Sequence, residues 1–162
     1  MANRDPIAVL LRAYSASARI NQYLVERLDP AVWRARPPGE EKVRTIAALV
    51  AHLHNCGLRY LERTDPHAGV PDELDRARVT PAQAARALGA KRKAVLRVVG
   101  AAIAEGRRIV GFTDDAPSYL AYYMIHDGHH RGQIVMLARQ LGHPIGQKTM
   151  IGMWQWGARV GE

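Results

Sequence analysis

His126 and His130 stand four residues apart in the stretch His126-Asp127-Gly128-His129-His130-Arg131-Gly132-Gln133. On an α-helix one turn separates them, so both imidazoles project from one face and can close on a single divalent cation. His52 and His54 form a second group far upstream. A pair from one helix and a third ligand from another make a half-open site. Three neutral imidazoles at about 2.0–2.1 Å suit zinc, nickel or another borderline cation and leave a position for water or substrate. A cation so held keeps its full charge and lowers the pKa of a bound water or thiol. The chemistry on offer is therefore hydrolysis of an ester, amide or similar electrophile, or attack of a thiolate on an electrophilic substrate.

The helix that carries the pair also orders its members. At about 100° per residue, Leu120, Tyr123, Met124, Ile134, Leu137 and Leu141 share one face. His130 falls near that face and His126 at its margin on the same side, whereas His129 points away, toward solvent or the groups behind the ligands. The third ligand must come from another helix, where His52 and His54 lie at different edges of an apolar stripe and the wheel does not choose between them. Asp127 is placed to orient an imagined ligand ring. Arg131 is read as the partner of an acid on a neighbouring helix in preference to a substrate anchor. Cys56, four residues after His52, is read as a small buried hydrophobe. His67 and His143 fall in loops as ordinary surface residues.

Four segments with helical spacing, separated by Pro, Gly and Asp punctuation, must position these groups, and no β-branched run alternates with polar residues. The pattern predicts an all-α fold, a four-helix bundle forming a single domain over 1–162. The first segment opens at Asp5-Pro6 and runs through Leu10, Tyr14, Ile20 and Leu24 to the break at Asp29-Pro30. The second starts near Thr45 and continues through Leu49, Leu53, Tyr60 and Leu61. The third begins with Thr80-Pro81-Ala82-Gln83, a capping box with proline at the first helical position, and reaches about Gly106. The fourth follows Asp114-Asp115-Ala116-Pro117, spans Ser118 to Leu141 and stops at Gly142-His143-Pro144. Gly128 and Gly132 inside it each cost roughly 1 kcal/mol relative to alanine, which points to close helix approach. A long connection, Asp65 to Val79, joins the second and third segments, and the apolar tail from Met150 to Gly157 is expected to pack back on the bundle.

With 162 residues the chain can build its core without a metal or disulfide staple. The sole cysteine excludes an intramolecular disulfide and a thiolate-rich zinc site. Together with the lack of an export or membrane-spanning run, it leads to the expectation of a soluble cytoplasmic protein. The formal charge of +8 is mostly scattered arginine, densest at Lys91-Arg92-Lys93. Basic residues do not alternate with aromatics, so no specific nucleic-acid binding is expected, although such a charge can steer anionic small molecules.

Ala47-Ala48-Leu49-Val50-Ala51-His52-Leu53, taken with the stretch from His126 to Ile134, resembles the DinB-like (YfiT-like) family of metal-dependent enzymes. The resemblance covers most of the chain. It implies a four-helix bundle that holds a divalent metal through three histidines, and by position these are His52, His126 and His130. It also implies a homodimer, and it favours thiol chemistry, since the family includes thiol S-transferases and a thiol-dependent isomerase. Two departures stand out: His54 lies beside His52, and Glu41-Lys42-Val43-Arg44 occupies the place where many members carry an aromatic residue, so the entrance to the site differs. The leading expectation is a metal-dependent thiol S-transferase or hydrolase acting on a small electrophile. Its alternative is a non-catalytic, stress-associated metal-binding module.

Overall fold

The chain is all-α in a computed structural model that describes residues 5–111 and 115–162. Met1 to Arg4 and Asp114, both used in reading the sequence, lie outside the described residues. Helix α1 (Pro6–Val25) begins where the Asp5 carboxylate accepts from the Ile7 amide, with Pro6 at the first position. Asp29 then caps a short 3₁₀ turn, Pro30–Val32. Thr45 caps α2 (Ile46–Asn55), and the Thr80–Gln83 capping box starts α4 (Pro81–Ala104) as the spacing predicts. Asp115 caps α5 (Ala116–Gln140), and Gly142, at φ 83°, turns the chain out of it.

The second segment is not one helix. It breaks at Gly57 into α2 and α3 (Leu58–Thr64). Gly57 takes a φ of 88°, and a Cβ there would lie 1.4 Å from the Tyr123 hydroxyl, so only glycine lets the aromatic ring of α5 approach. The break frees the last carbonyls of α2, and the buried Lys91 ammonium takes two of them, Leu53 O at 2.6 Å and Cys56 O at 2.8 Å. Lys91 is thus a buried helix cap rather than part of a basic surface run.

Helix α1 packs on α4 and α5, and α2 packs on the same two helices, with α3 against α4. The buried side chains fall into two apolar clusters. One gathers Leu24, Val50, Leu88 and Ile134; the other gathers Tyr14, Leu58, Val95 and Tyr123. Between them every long helix contributes polar groups: Asn21 on α1, His54 on α2, Lys91 on α4, and Asp127 and His130 on α5 are all buried. A polar layer therefore separates two apolar ends, and the histidines belong to it.

The connection over 65–79 has no helix, yet it is anchored. His54 Nε2 bonds Asp72 O at 2.9 Å, Asn55 both donates to Leu74 O and accepts from Leu74 N, and Trp33 Nε1 donates to Val79 O. The tail forms α6 (Gln147–Trp154) and α7 (Trp156–Val160), which pack on α1. Its anchors are Gly152 and Arg159, both against Tyr23. Gly152 sits so close to Tyr23 that a Cβ would lie 2.0 Å from the hydroxyl, and the Arg159 guanidinium stacks 4.0 Å above the same ring. Trp154, by contrast, is 79 % exposed.

Candidate metal centre

His52 from α2 and His126 and His130 from α5 offer nitrogen atoms that all lie within 4.8 Å of one another. The ring centroids stand 4.6 to 5.2 Å apart, with His126 and His130 one helical turn from each other and His52 facing both. His54 does not join them. Its ring is fully buried on another side of α2 and is committed to the Asp72 carbonyl. Of the two α2 histidines, the fold brings only His52 to the pair.

Hydrogen bonds to the far side of the two α5 rings select the nitrogens that face the cluster. His130 Nδ1 donates to Gln133 Oε1 at 2.7 Å, which leaves the lone pair of the neutral ring on Nε2. Gln133 is oriented in turn by donating its amide to His129 Nε2 at 3.1 Å. His126 Nδ1 faces Asp127 Oδ1 at 3.4 Å, and the Asp127 carboxylate is held by Asn21 Nδ2 at 2.6 Å. Asn21 Oδ1 accepts from Arg131, which also donates to Ser17 O. Arg131 thus finds amide and carbonyl oxygens on α1 where the sequence suggested an acid, and its role is to tie α5 to α1. Asp127 takes the orienting position expected of it.

His126 Nε2 and His52 Nε2 are 3.3 Å apart. Two nitrogens bound about 2.0–2.1 Å from one tetrahedral ion are separated by about 3.4 Å, so this spacing fits a shared cation. Electrostatics give the metal-free state. Asp127, helped by Cys56 as a second hydrogen-bond acceptor, pushes His126 up to about 9. Burial, then the neighbouring imidazoles and Arg44, brings His52 down to about 4, and burial lowers His130 as well. Near neutrality His126 therefore carries a second proton, and its Nε2 faces the neutral His52 ring. A cation entering the triad takes the place of that proton.

Two clefts border the triad, one at His130 and one at His52. On the His130 side lies a cleft of about 590 Å³ with walls of Val43, Leu49, Met136 and Leu137. On the His52 side lies a polar one of about 380 Å³, lined by Asn55, Asp75 and Arg76 among others. Arg44 lines both. Tyr122 stacks on His126 with 5.9 Å between centroids and covers the end of the site toward the tyrosine cluster.

The DinB family matches residues 1–156. This chain belongs to the DinB family. No curated protein and no solved structure matches it. Membership agrees with the residues that carried the resemblance, and the geometry brings those three histidines together. It says nothing about Asn21, Ser17, Lys91 or Arg44, which the sequence reading passed over as site residues. Asn21 and Lys91 each interrupt an apolar helical stripe, between Ile20 and Leu24 and between Leu88 and Val95, and that interruption was the available signal. Among the described residues no helix is long and apolar enough to cross a membrane.

Proposed function

We propose that this DinB-family chain is a divalent-metal-dependent enzyme with an open three-histidine site, acting as a thiol S-transferase or hydrolase on a small electrophilic substrate. His52, His126 and His130 are the ligands, and zinc or nickel is the ion. The observation that carries the reading is the convergence of three imidazoles, each with a free or displaceable position at its inner nitrogen, at the meeting of two clefts. When bound, the ion supplies Lewis acidity that makes a nucleophile of water or a low-molecular-weight thiol near neutral pH. The protein's own part is to hold the rings. Gln133 fixes the tautomer of His130, Asp127 that of His126, and the Asn21–Arg131 pair locks Asp127 in place. The clefts admit the electrophile from the apolar His130 side.

The same proposal includes a four-helix bundle made by α1, α2 with α3, α4 and α5, and a homodimer formed through a helix face. The non-catalytic metal-binding module predicts a sphere closed by four protein groups. Three groups meeting beside two clefts favour the enzyme.

Metal analysis of untagged protein tests the first step. Wild type is expected to hold about one ion per chain and the His126→Ala/His130→Ala variant none; equal, negligible contents in both would overturn the site. Conjugation of monochlorobimane with glutathione or cysteine, run beside thiol-free hydrolysis of p-nitrophenyl acetate, separates the two reactions. Metal-loaded protein that accelerates neither reaction leaves the binding module as the better reading.

A further inference from the structure

Arg44 is the arginine that lines both clefts beside the candidate metal centre. Arg19 pairs with Glu26 and Glu162, Arg131 with Asn21, and Arg34 and Arg36 with backbone carbonyls. Arg44 has no hydrogen bond or ion pair among the described residues, although it lies beside the candidate metal centre. Its backbone is held on both sides, by Arg36 bonding Val43 O and by Thr45 capping α2, so the guanidinium has a fixed base. It borders the apolar cleft beside His130, where it is the sole arginine or lysine among the described lining residues, and the polar cleft beside His52. Beyond it a third cleft is lined by Arg34, Arg36, Lys42 and Arg76. The described carboxylate that shares a cleft with Arg44 is Asp75, on the His52 side. An unpaired guanidinium at the edge of an apolar wall, in clefts that it shares with His130 and His52, is an oxyanion receptor, and the planar fork matches a carboxylate with two parallel hydrogen bonds.

We propose that Arg44 recognises a carboxylate on the substrate of the triad, and that this substrate is an amphipathic acid whose apolar body lies on Val43, Leu49, Met136 and Leu137 with its reacting carbon toward His130. The inference rests on the functional reading above and adds the substrate class. A carboxylate fits better than a phosphate because on the apolar side of the cleft Arg44 faces the ligand alone. The neighbouring basic cleft raises the local concentration of anions without contacting the apolar body.

The test uses full-length protein freed of metal, so that a carboxylate has no ion to ligate, with 3-phenylpropanoate, its amide and 3-phenylpropyl phosphate as probes. Calorimetry is expected to show the acid binding at least tenfold more tightly than the amide. In Arg44→Gln that preference should vanish, and in Arg44→Lys part of it should return. Amide resonances of Val43, Leu49 and Leu137 should shift on titration. Equal binding of acid and amide by wild type, no binding of either, or a preference that survives Arg44→Gln would overturn the proposal. So would tighter binding of the phosphate, or shifts confined to other residues. Zinc content is measured in parallel and should be the same in Arg44→Gln and wild type. Loss of zinc binding by wild type counts against the metal centre, whereas loss of the acid preference with zinc retained counts against Arg44 alone.

Discussion

The polar layer has two halves that use the same residue types in opposite ways. Around His54 the polar groups are tied to backbone: the ring's Nε2 holds the Asp72 carbonyl, Asn55 clamps Leu74 from both sides, and Lys91 caps α2. Around His52 the outer nitrogens of the α5 pair are committed to Gln133 and Asp127, while the inner ones face each other across a space that fits an ion. The two histidines are two residues apart on one helix. What distinguishes them is where their bonds lead. A buried polar group bonded to fixed backbone specifies structure, and ring nitrogens that converge on one space specify a ligand.

Exchanging each histidine for alanine should break the comparison most sharply. His52→Ala removes one of three ligands, at roughly 3 kcal/mol per ligand, and should cut metal affinity on the order of a hundredfold or more. Its metal-free stability should barely change, since the ring is only half-buried and its contacts are with the imidazoles of His126 and His130. His54→Ala should do the reverse. It leaves a cavity and an unpaired Asp72 carbonyl, so unfolding stability should fall by about 2–4 kcal/mol with metal content intact. Chemical denaturation and metal titration of both variants would collapse the distinction if the two losses came together.

Asp127→Asn sharpens the open half. Because His126 is raised to about 9, its proton competes with the metal at all lower pH. Wild-type affinity should therefore climb about tenfold per pH unit from about 7 to 9 and level off above. The asparagine removes the largest cause of the raised value, so its profile should be nearly flat over the same interval. At pH 9.5 it should bind about tenfold more weakly than wild type, for want of the orienting carboxylate. A wild-type profile already flat at pH 7 would show that the proton does not sit on His126.

These contrasts also explain what could be read from the chain. Caps are local chemistry, so Asp5-Pro6, Thr80-Pro81-Ala82-Gln83 and Gly142 gave the starts and stops of helices correctly. The His126/His130 spacing is local as well. The choice of His52 over His54 is not, because it depends on where the 65–79 connection lies, and that segment has no periodicity to read. Likewise the break at Gly57 is imposed by Tyr123, a residue 66 positions later. Arg44 was visible only as a departure from the family's pattern, and its meaning needed the clefts around it.

The glycines of α5 supply the smallest and most delicate test. They suggested close helix approach, as Gly57 and Gly152 do show elsewhere. At Gly132 the structure says otherwise: a Cβ there would meet nothing within 4 Å. No packing demand accounts for a residue that costs a helix interior about 0.5–1 kcal/mol relative to alanine. Gly132 does line the cleft beside His130, and it also lines the groove that runs to Trp154 and Trp156. Open space in the site is then what the glycine maintains, at the expense of stability. Gly132→Ala should raise the melting temperature by about 2–4 °C and weaken the binding of 3-phenylpropanoate, leaving metal content unchanged. A variant that is stabilised and binds the acid as well as wild type would show that the glycine serves neither packing nor the cleft.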